Sequence, residues 1–116
     1  MRLTLAVALA LTGAAPALAQ DGAALYAAQC KACHSLTAAN SPAGPSLKGV
    51  AGRKLATAPG YAFSAGLKAR GGTWTDAALD AYLANPAGYA PGTKMFNRVP
   101  QPAARTALIA YLKTQK

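Results

Sequence analysis

The chain has 116 residues, twelve Lys and Arg against three acidic side chains, and a formal net charge of +9. A chain of this size forms one small domain, which buries only about two-thirds of the surface that it exposes when unfolded. The basic residues are scattered singly and are not clustered in an arm or groove, so the composition argues against a nucleic-acid-binding protein and favours docking to acidic protein surfaces.

The N-terminus has the pattern of a secretory signal peptide. Arg2 precedes an apolar run over residues 3–11, and Ala17-Leu18-Ala19 supplies a cleavage site with small residues at both outer positions. The alternative is an uncleaved membrane anchor, but the apolar stretch is interrupted by a proline and is shorter than the ~20 residues that a bilayer span requires. We therefore expect residues 1–19 to be removed on export to the periplasm and residues 20–116 to form one domain, without stable membrane insertion.

Four helices are predicted, each beginning near a residue that can cap or start a helix. In chain order, Asp21 caps a helix from Gly22 to about Ala32, and Ser64 caps a short one that ends at Gly71-Gly72. Thr75 caps a third that Pro86 stops, and the last has Pro102 in its first turn. Residues 37–53 and 88–101 are rich in Gly and Pro and are predicted to be loops. No segment alternates apolar and polar residues with period two, so the pattern indicates an all-α domain. Loops of this length are easier to explain if they wrap a disc-shaped cofactor.

The sequence Cys30-Lys31-Ala32-Cys33-His34 predicts covalent attachment of one haem c. Two thiols on one helical turn can bond to one edge of a porphyrin, and the imidazole of His34 can then ligate the iron. A thioredoxin-like thiol pair would need a βαβ context that this chain lacks, and a structural zinc ion would need four ligands where residues 20–116 offer three.

Met95 is the candidate for the second axial ligand of the iron. It is the only Met in residues 20–116 and lies in a Pro-Gly loop between two predicted helices. A Met in such a loop is poorly placed to fill a helix–helix core, which favours ligation over packing. The alternatives to Met95 are ligation by Lys94 and an open coordination site on the iron.

With these residues, the chain resembles the class I c-type cytochromes, and the resemblance covers essentially all of residues 20–116. The similar segments occur in the family's order and close to its spacings: CKACH at 30–34, GPSLKGVAGRK at 44–54, PGYAFS at 59–64, Trp74, YLANPAGYAPGTKM at 82–95 and LIAYLK at 108–113. The resemblance implies the cytochrome c fold, a single small domain of about four helices and long loops around one covalently bound haem.

The resemblance also implies roles for residues around the haem. The carbonyl group of Pro45 would accept a hydrogen bond from the imidazole of His34, and His/Met ligation raises the reduction potential of the iron. Gly22 would lie where the first and last helices cross. The other matched residues bind the haem propionates or lie beside the Met ligand: Arg53, Tyr61 and Trp74 in the first group, Tyr82 and Thr93 in the second.

Two positions depart from the family's pattern. Phe63 stands where many members have a tyrosine that reaches a propionate, and Leu67 stands where an asparagine commonly lies near the Met ligand. Both changes remove a polar group from the expected haem environment. The hypothesis is that a drier pocket disfavours the more positive ferric state and raises the potential.

The predicted function is one-electron transport by a periplasmic, monomeric, monohaem cytochrome, and not enzymatic catalysis. Two axial protein ligands would leave no coordination position for oxygen, peroxide or nitrite, and no second His is present to act as a general base. The alternatives are a gas-binding or weakly peroxidatic haem protein with a labile Met ligand, and a dedicated electron-transfer subunit of one redox enzyme complex.

The resemblance implies that a ring of cations docks acidic surfaces of membrane or periplasmic redox proteins, such as an oxidase, a reductase or a reaction centre. Lys31, Lys48, Lys94 and Arg98 lie on loops that are expected to border the haem edge. Such docking predicts association rates that fall as ionic strength rises.

Overall fold

A computed structural model describes residues 21–116, and the signal peptide expected at residues 1–19 lies outside the described residues. The described chain forms five helices: α1 (Gly22–Gln29), α2 (Ala65–Arg70), α3 (Asp76–Ala84), α4 (Pro86–Tyr89) and α5 (Pro102–Lys113). Residues 21–116 contain isolated bridges but no strand, so the all-α prediction is confirmed. None of these helices has the length and apolar character needed to span a bilayer.

Three helices begin at the side-chain caps that the sequence predicts. The carboxylate of Asp21 accepts a hydrogen bond from an amide of α1 at 3.0 Å. The hydroxyl groups of Ser64 and Thr75 accept from amides of α2 and α3 at 3.2 and 3.1 Å. Each cap provides a partner for an amide that the helix itself leaves without one.

The first helix is shorter than predicted, since α1 ends at Gln29 and not near Ala32. Beyond Gln29 the chain forms a turn in which the carbonyl group of Cys30 accepts hydrogen bonds from the amides of Cys33 and His34, both at 3.0 Å. The attachment motif therefore occupies a separate turn at the end of the helix.

Pro86 ends α3 as predicted, but it also begins α4, a four-residue helix that lies in a region partly predicted to be loop. Proline suits the first turn of a helix because its missing N–H would have no intrahelical partner there. The side chain of Asn85 caps α4 by accepting a hydrogen bond from the amide of Gly88 at 3.2 Å. The described chain therefore has five helices where about four were predicted.

The main helix contact is the crossing of α1 and α5. A Cβ atom on Gly22 would overlap the carbonyl oxygen of Ala107 and would lie 2.6 Å from the Cβ atom of Tyr111, so only glycine allows this approach. Next to it the rings of Tyr26 and Tyr111 lie 5.8 Å apart, and Leu108 is completely buried. Helix α3 also packs against α5, so these three helices form a frame that carries the loops.

Candidate haem site

The loops, together with α2 and α3, surround an open cavity of about 340 Å³. Its wall is mainly apolar and includes buried Leu and Val side chains from segments far apart in the sequence. All ten residues predicted to form the site line this cavity: Cys30, Cys33, His34, Pro45, Arg53, Tyr61, Trp74, Tyr82, Thr93 and Met95. The fold therefore brings the complete predicted set to one place.

The two cysteines lie in the turn after α1, and both line the cavity. Cys33 is exposed, whereas Cys30 is half-buried, and this burial, with a smaller contribution from Cys33, raises the pKa of Cys30 to about 11. Before haem is attached, the Cys30 thiol is therefore neutral at physiological pH. Within residues 21–116, no three His, Cys, Asp or Glu side chains come close enough together to hold a metal ion.

His34 is oriented by a hydrogen bond to the backbone. Its Nδ1 lies 2.7 Å from the carbonyl oxygen of Pro45, as the resemblance implies, and donates the proton because the carbonyl group can only accept. Nε2 is then the nitrogen that remains for a metal. Burial lowers the pKa of His34, with a partial offset from the Pro45 hydrogen bond, and so favours the neutral imidazole that binds iron.

Gly44 is a site residue that the sequence pattern does not identify. A Cβ atom at this position would lie 2.6 Å from the carbonyl oxygen of Cys33 and 3.0 Å from two ring atoms of His34. The missing side chain therefore lets the loop approach the imidazole closely enough for Pro45 to accept its proton. The one local signal is the Gly-Pro pair itself, which marks a turn but not what the turn contacts.

Met95 is half-buried on the cavity wall, in a loop held by its neighbours. The hydroxyl groups of Tyr82 and Thr93 lie 2.7 Å apart, and the amide of Thr93 donates to the carbonyl group of Ala90 at 2.9 Å. Burial raises the pKa of Tyr82, partly offset by the bond to Thr93, so its hydroxyl group stays protonated at neutral pH. These bonds restrict the loop two residues before the sulfur atom.

Arg53 supplies the clearest sign that a charged ligand belongs in this cavity. Its terminal nitrogens donate to the carbonyl groups of Ser46 at 3.1 Å and Lys48 at 3.2 Å. Its Nε is buried and has no hydrogen-bond partner among residues 21–116. Burial also lowers the pKa of Arg53. Burying an N–H group of a cation without a hydrogen-bond partner costs free energy of folding. A carboxylate such as a haem propionate would accept a hydrogen bond from this group.

Aromatic side chains and the two departures from the family's pattern complete the wall. Trp74 is 6% exposed, and its ring centroid lies 5.1 Å from that of Tyr82. Tyr61 packs edge-on against Phe63 with their centroids 4.9 Å apart. Leu67 is 6% exposed and lines the cavity, as does Phe63. Both departures therefore place apolar groups on the wall itself, where they can affect a bound haem.

The cations expected to border the haem edge are not equally close to the cavity. Lys94 lines it, whereas Lys31 and Arg98 are exposed residues outside its lining. Lys48 borders a separate surface depression and contributes to the site through its carbonyl group, which accepts a hydrogen bond from Arg53. Lys48 therefore contributes to this cavity by positioning Arg53 with its backbone carbonyl group, and not through its ammonium group.

Phe96 and Asn97 are exposed residues that line the cavity, and neither was predicted as a site residue. Phe96 is 85% exposed, the highest value for a large apolar side chain among residues 21–116, and it lines the cavity next to Met95. The Nδ2 group of Asn97 donates to the carbonyl group of Gln29 at 2.9 Å, which ties the Met95 loop to the end of α1. Sequence hydropathy suggests a buried Phe, so its exposure becomes visible only in the fold.

Asn40 is another residue whose role the sequence pattern does not reveal, beyond marking a loop. Its Nδ2 donates to the carbonyl group of Pro59 and its Oδ1 accepts from the amide of Ser46, both at 2.8 Å. One side-chain amide thus joins two loops whose residues are far apart in sequence. This link helps hold the loop whose carbonyl groups position Arg53.

Residues 19–116 match the protein-family model described as cytochrome c, and they do so over the same region that forms the cavity and its frame. The chain belongs to the cytochrome c family. Cytochrome c2 iso-1 of Magnetospirillum molischianum is 50% identical over 91 residues, which cover 76% of this chain and 91% of that protein. Cytochrome c-550 of Ancylobacter novellus is 44% identical over 91 residues, covering 74% of this chain and 85% of that protein.

The fold of this cytochrome is also that of a solved relative. The structure of cytochrome cH from Methylobacterium extorquens matches with a TM-score of 0.74 and 47% identity, covering 80% of this chain and 94% of that one. The protein is therefore a class I c-type cytochrome that carries haem c attached through its cysteine pair. It functions as a monohaem electron carrier with redox partners and not as an enzyme. The predicted family, cofactor and electron-transport function are therefore confirmed.

Proposed function

We propose that this cytochrome carries single electrons between acidic redox partners in the periplasm, with His34 and Met95 as the two axial ligands of its iron. The observation that supports this assignment most strongly is the convergence of both side chains on the cavity that also holds the cysteine pair. The hydrogen bond of 2.7 Å from His34 to Pro45 supports the proximal role, because it leaves Nε2 for the metal.

Different residues of the cavity would bind different parts of the haem. Cys30 and Cys33 would retain it covalently, while Arg53, Tyr61 and Trp74 would bind its carboxylate groups. When bound, haem supplies a one-electron ferric/ferrous couple. The chain supplies fixed ligands and an apolar wall that excludes water.

The bonds around Met95 support a six-coordinate iron whose surroundings change little with oxidation state. Tyr82 and Thr93 hold each other's hydroxyl groups, and Thr93 is only 6% exposed. A buried and satisfied pair of this kind restricts the loop that carries Met95. A restricted loop suits a carrier, because a ligand that stays in place leaves no coordination position for small molecules.

The axial assignment is tested by comparing the wild-type holoprotein with Met95→Leu. The ferric wild type is expected to show the weak absorption band at the red end of the visible spectrum that marks Met–ferric haem. Met95→Leu should lose this band, bind carbon monoxide in the ferrous form and have a lower reduction potential. Phe96→Leu, at the neighbouring position, should keep the band. A wild-type protein without the band would contradict ligation by Met95.

Docking to acidic partners is supported by the eleven Lys and Arg against three Asp in residues 20–116, a net charge of +8, and by Lys94 at the cavity wall. We expect the rate constant for electron transfer to an acidic partner to fall steeply as ionic strength rises, since the Debye length shortens to about 8 Å at 0.15 M salt. At low salt, Lys94→Gln should slow this reaction more than Lys68→Gln, on the exposed surface of α2, and the difference should disappear at high salt, where charges are screened. A rate that does not respond to salt would contradict charge-steered docking.

Export and the monomeric state are proposals that rest on the sequence pattern. Periplasmic extracts of cells that express the full chain should contain a haem-bearing protein whose first residue is Gln20, as determined by mass spectrometry. Size-exclusion chromatography should give the mass of a single copy. An intact N-terminus in the membrane fraction would contradict cleavage, and stable co-elution with one enzyme would favour the subunit alternative.

A further inference from the structure

Helix α2 touches the loop that carries Met95, and the contact is between backbones. A Cβ atom on Gly66 would overlap the carbonyl oxygen of Pro91 and would lie 3.0 Å from its carbonyl carbon and 3.4 Å from that of Ala90. Ala90 is completely buried. At this position no side chain larger than hydrogen fits unless the helix or the loop moves.

Two cations reinforce this contact on either side along the loop. The guanidinium group of Arg70 lies 3.9 Å from the ring centroid of Tyr89, and its Nη1 donates to the Tyr89 carbonyl group at 3.3 Å. At the other end, Nζ of Lys94 donates to the carbonyl group of Ala62 at 2.5 Å. Residues 62–70 therefore contact the chain before Met95 at three places: Tyr89, Pro91 and Lys94.

We propose that residues 62–70 form a brace that keeps Met95 on the iron, with Gly66 and Arg70 as positioning residues. The proposal rests on the proposed ligation by Met95. Residues 91–101 contain no helix, so the loop has little regular structure of its own to resist opening. Segments with few internal contacts open at a smaller free energy than the whole domain, and external contacts then decide how often they open.

The brace acts separately from the frame of helices that carries the fold. Its contacts lie on residues 62–70, whereas the packed crossing lies between α1 and α5. Weakening the brace should therefore release the loop while these helices stay folded. The difference between loop opening and global unfolding is what distinguishes a positioning role from a general contribution to stability.

The test is a denaturant titration of the ferric holoprotein with two probes. The red-end absorption band reports Met95 on the iron, and far-UV circular dichroism reports the helices. In Gly66→Ala the band should disappear at a clearly lower denaturant concentration than the helical signal. Gly22→Ala is the matched control, because it puts the same methyl group into the other close backbone contact. It should lower both midpoints together.

A second pair of variants covers the case in which Gly66→Ala does not fold. Arg70→Met and Lys68→Met each remove one positive charge from the last turn of α2, and Lys68 is exposed. Losing the cation–π contact and the hydrogen bond should increase the population of the open loop by about tenfold in Arg70→Met. The rate of carbon monoxide binding to the ferrous form should rise by a similar factor, and Lys68→Met should match the wild type.

The outcomes separate the brace from the axial assignment. If the wild type shows the band and both brace variants lose it together with the helical signal, the brace is wrong and Met95 remains the ligand. The brace is also wrong if Gly22→Ala separates the two probes as far as Gly66→Ala does. If the wild type lacks the band, ligation by Met95 fails and the brace fails with it.

Discussion

Replacing Arg53 by Gln is expected to lower the reduction potential of the haem. The guanidinium group lines the cavity, donates to two carbonyl groups and has a buried Nε that remains for a carboxylate of the ligand. A positive charge in the cavity wall disfavours the ferric state, which carries one more positive charge than the ferrous state. Removing it therefore stabilises the ferric form, and the midpoint potential falls.

The size of the cavity sets the scale of this shift. A cavity of 340 Å³ is roughly 9 Å across, and at that separation an effective dielectric constant of about 20 gives roughly 2 kcal/mol between unit charges. For a one-electron couple this energy corresponds to roughly 80 mV. A carboxylate paired with Arg53 cancels part of its field, so we expect a decrease of tens of millivolts.

Potentiometric titration of the holoprotein measures the shift, with two variants as controls. Lys54→Gln removes the same charge from an exposed neighbour and should change the potential much less, because water screens that position. Arg53→Lys keeps the charge but not the paired donors, so it should retain most of the potential while losing stability. An unchanged or raised potential in Arg53→Gln, or an equal decrease in Lys54→Gln, would refute the reasoning.

Four further substitutions test other parts of the site. Leu67→Asn and Phe63→Tyr each return a polar group to the cavity wall and should each lower the midpoint potential; a rise or no change in both would contradict the hypothesis of a drier pocket. Asn40→Ala should reduce the free energy of unfolding by about 1–3 kcal/mol in denaturant titrations, because the Ser46 amide and the Pro59 carbonyl group lose their partner; an unchanged value would show that the link contributes nothing. Phe96→Ser should slow electron transfer to an acidic partner even at high salt, where charges are screened; rates equal to the wild type at every ionic strength would exclude an apolar contact at this position.

The attachment motif was predictable because its chemistry depends on residues that are neighbours in the sequence. Cys30, Cys33 and His34 need only one turn of chain between them, and the structure keeps that turn even though α1 ends earlier than predicted. The place of Pro45 next to the imidazole has no such local signal. It came from the resemblance, and the structure accounts for it through the missing side chain of Gly44.

What the sequence did not reveal are contacts between backbones of distant segments. Nothing in a pattern of apolar residues shows that Gly66 touches Pro91, or that one amide of Asn40 joins two loops. Pro86 illustrates a related ambiguity, because proline both ends one helix and suits the first turn of the next. Whether a second helix follows depends on the capping side chain of Asn85, whose weak local signal does not identify a four-residue helix.

The long loops and the cofactor depend on each other energetically. If a protein had to enclose 340 Å³ of unfilled apolar space, the loss would be roughly 8 kcal/mol at about 24 cal/mol per Å³. That loss is comparable with the entire unfolding free energy of a small domain, about 5–15 kcal/mol. The loops at residues 37–53 and 90–101 can therefore remain poor in regular structure only because a bound porphyrin serves as the core that they lack. It follows that Leu67 and Phe63, which line this space, influence the stability of the fold and the potential of the haem through the same contacts.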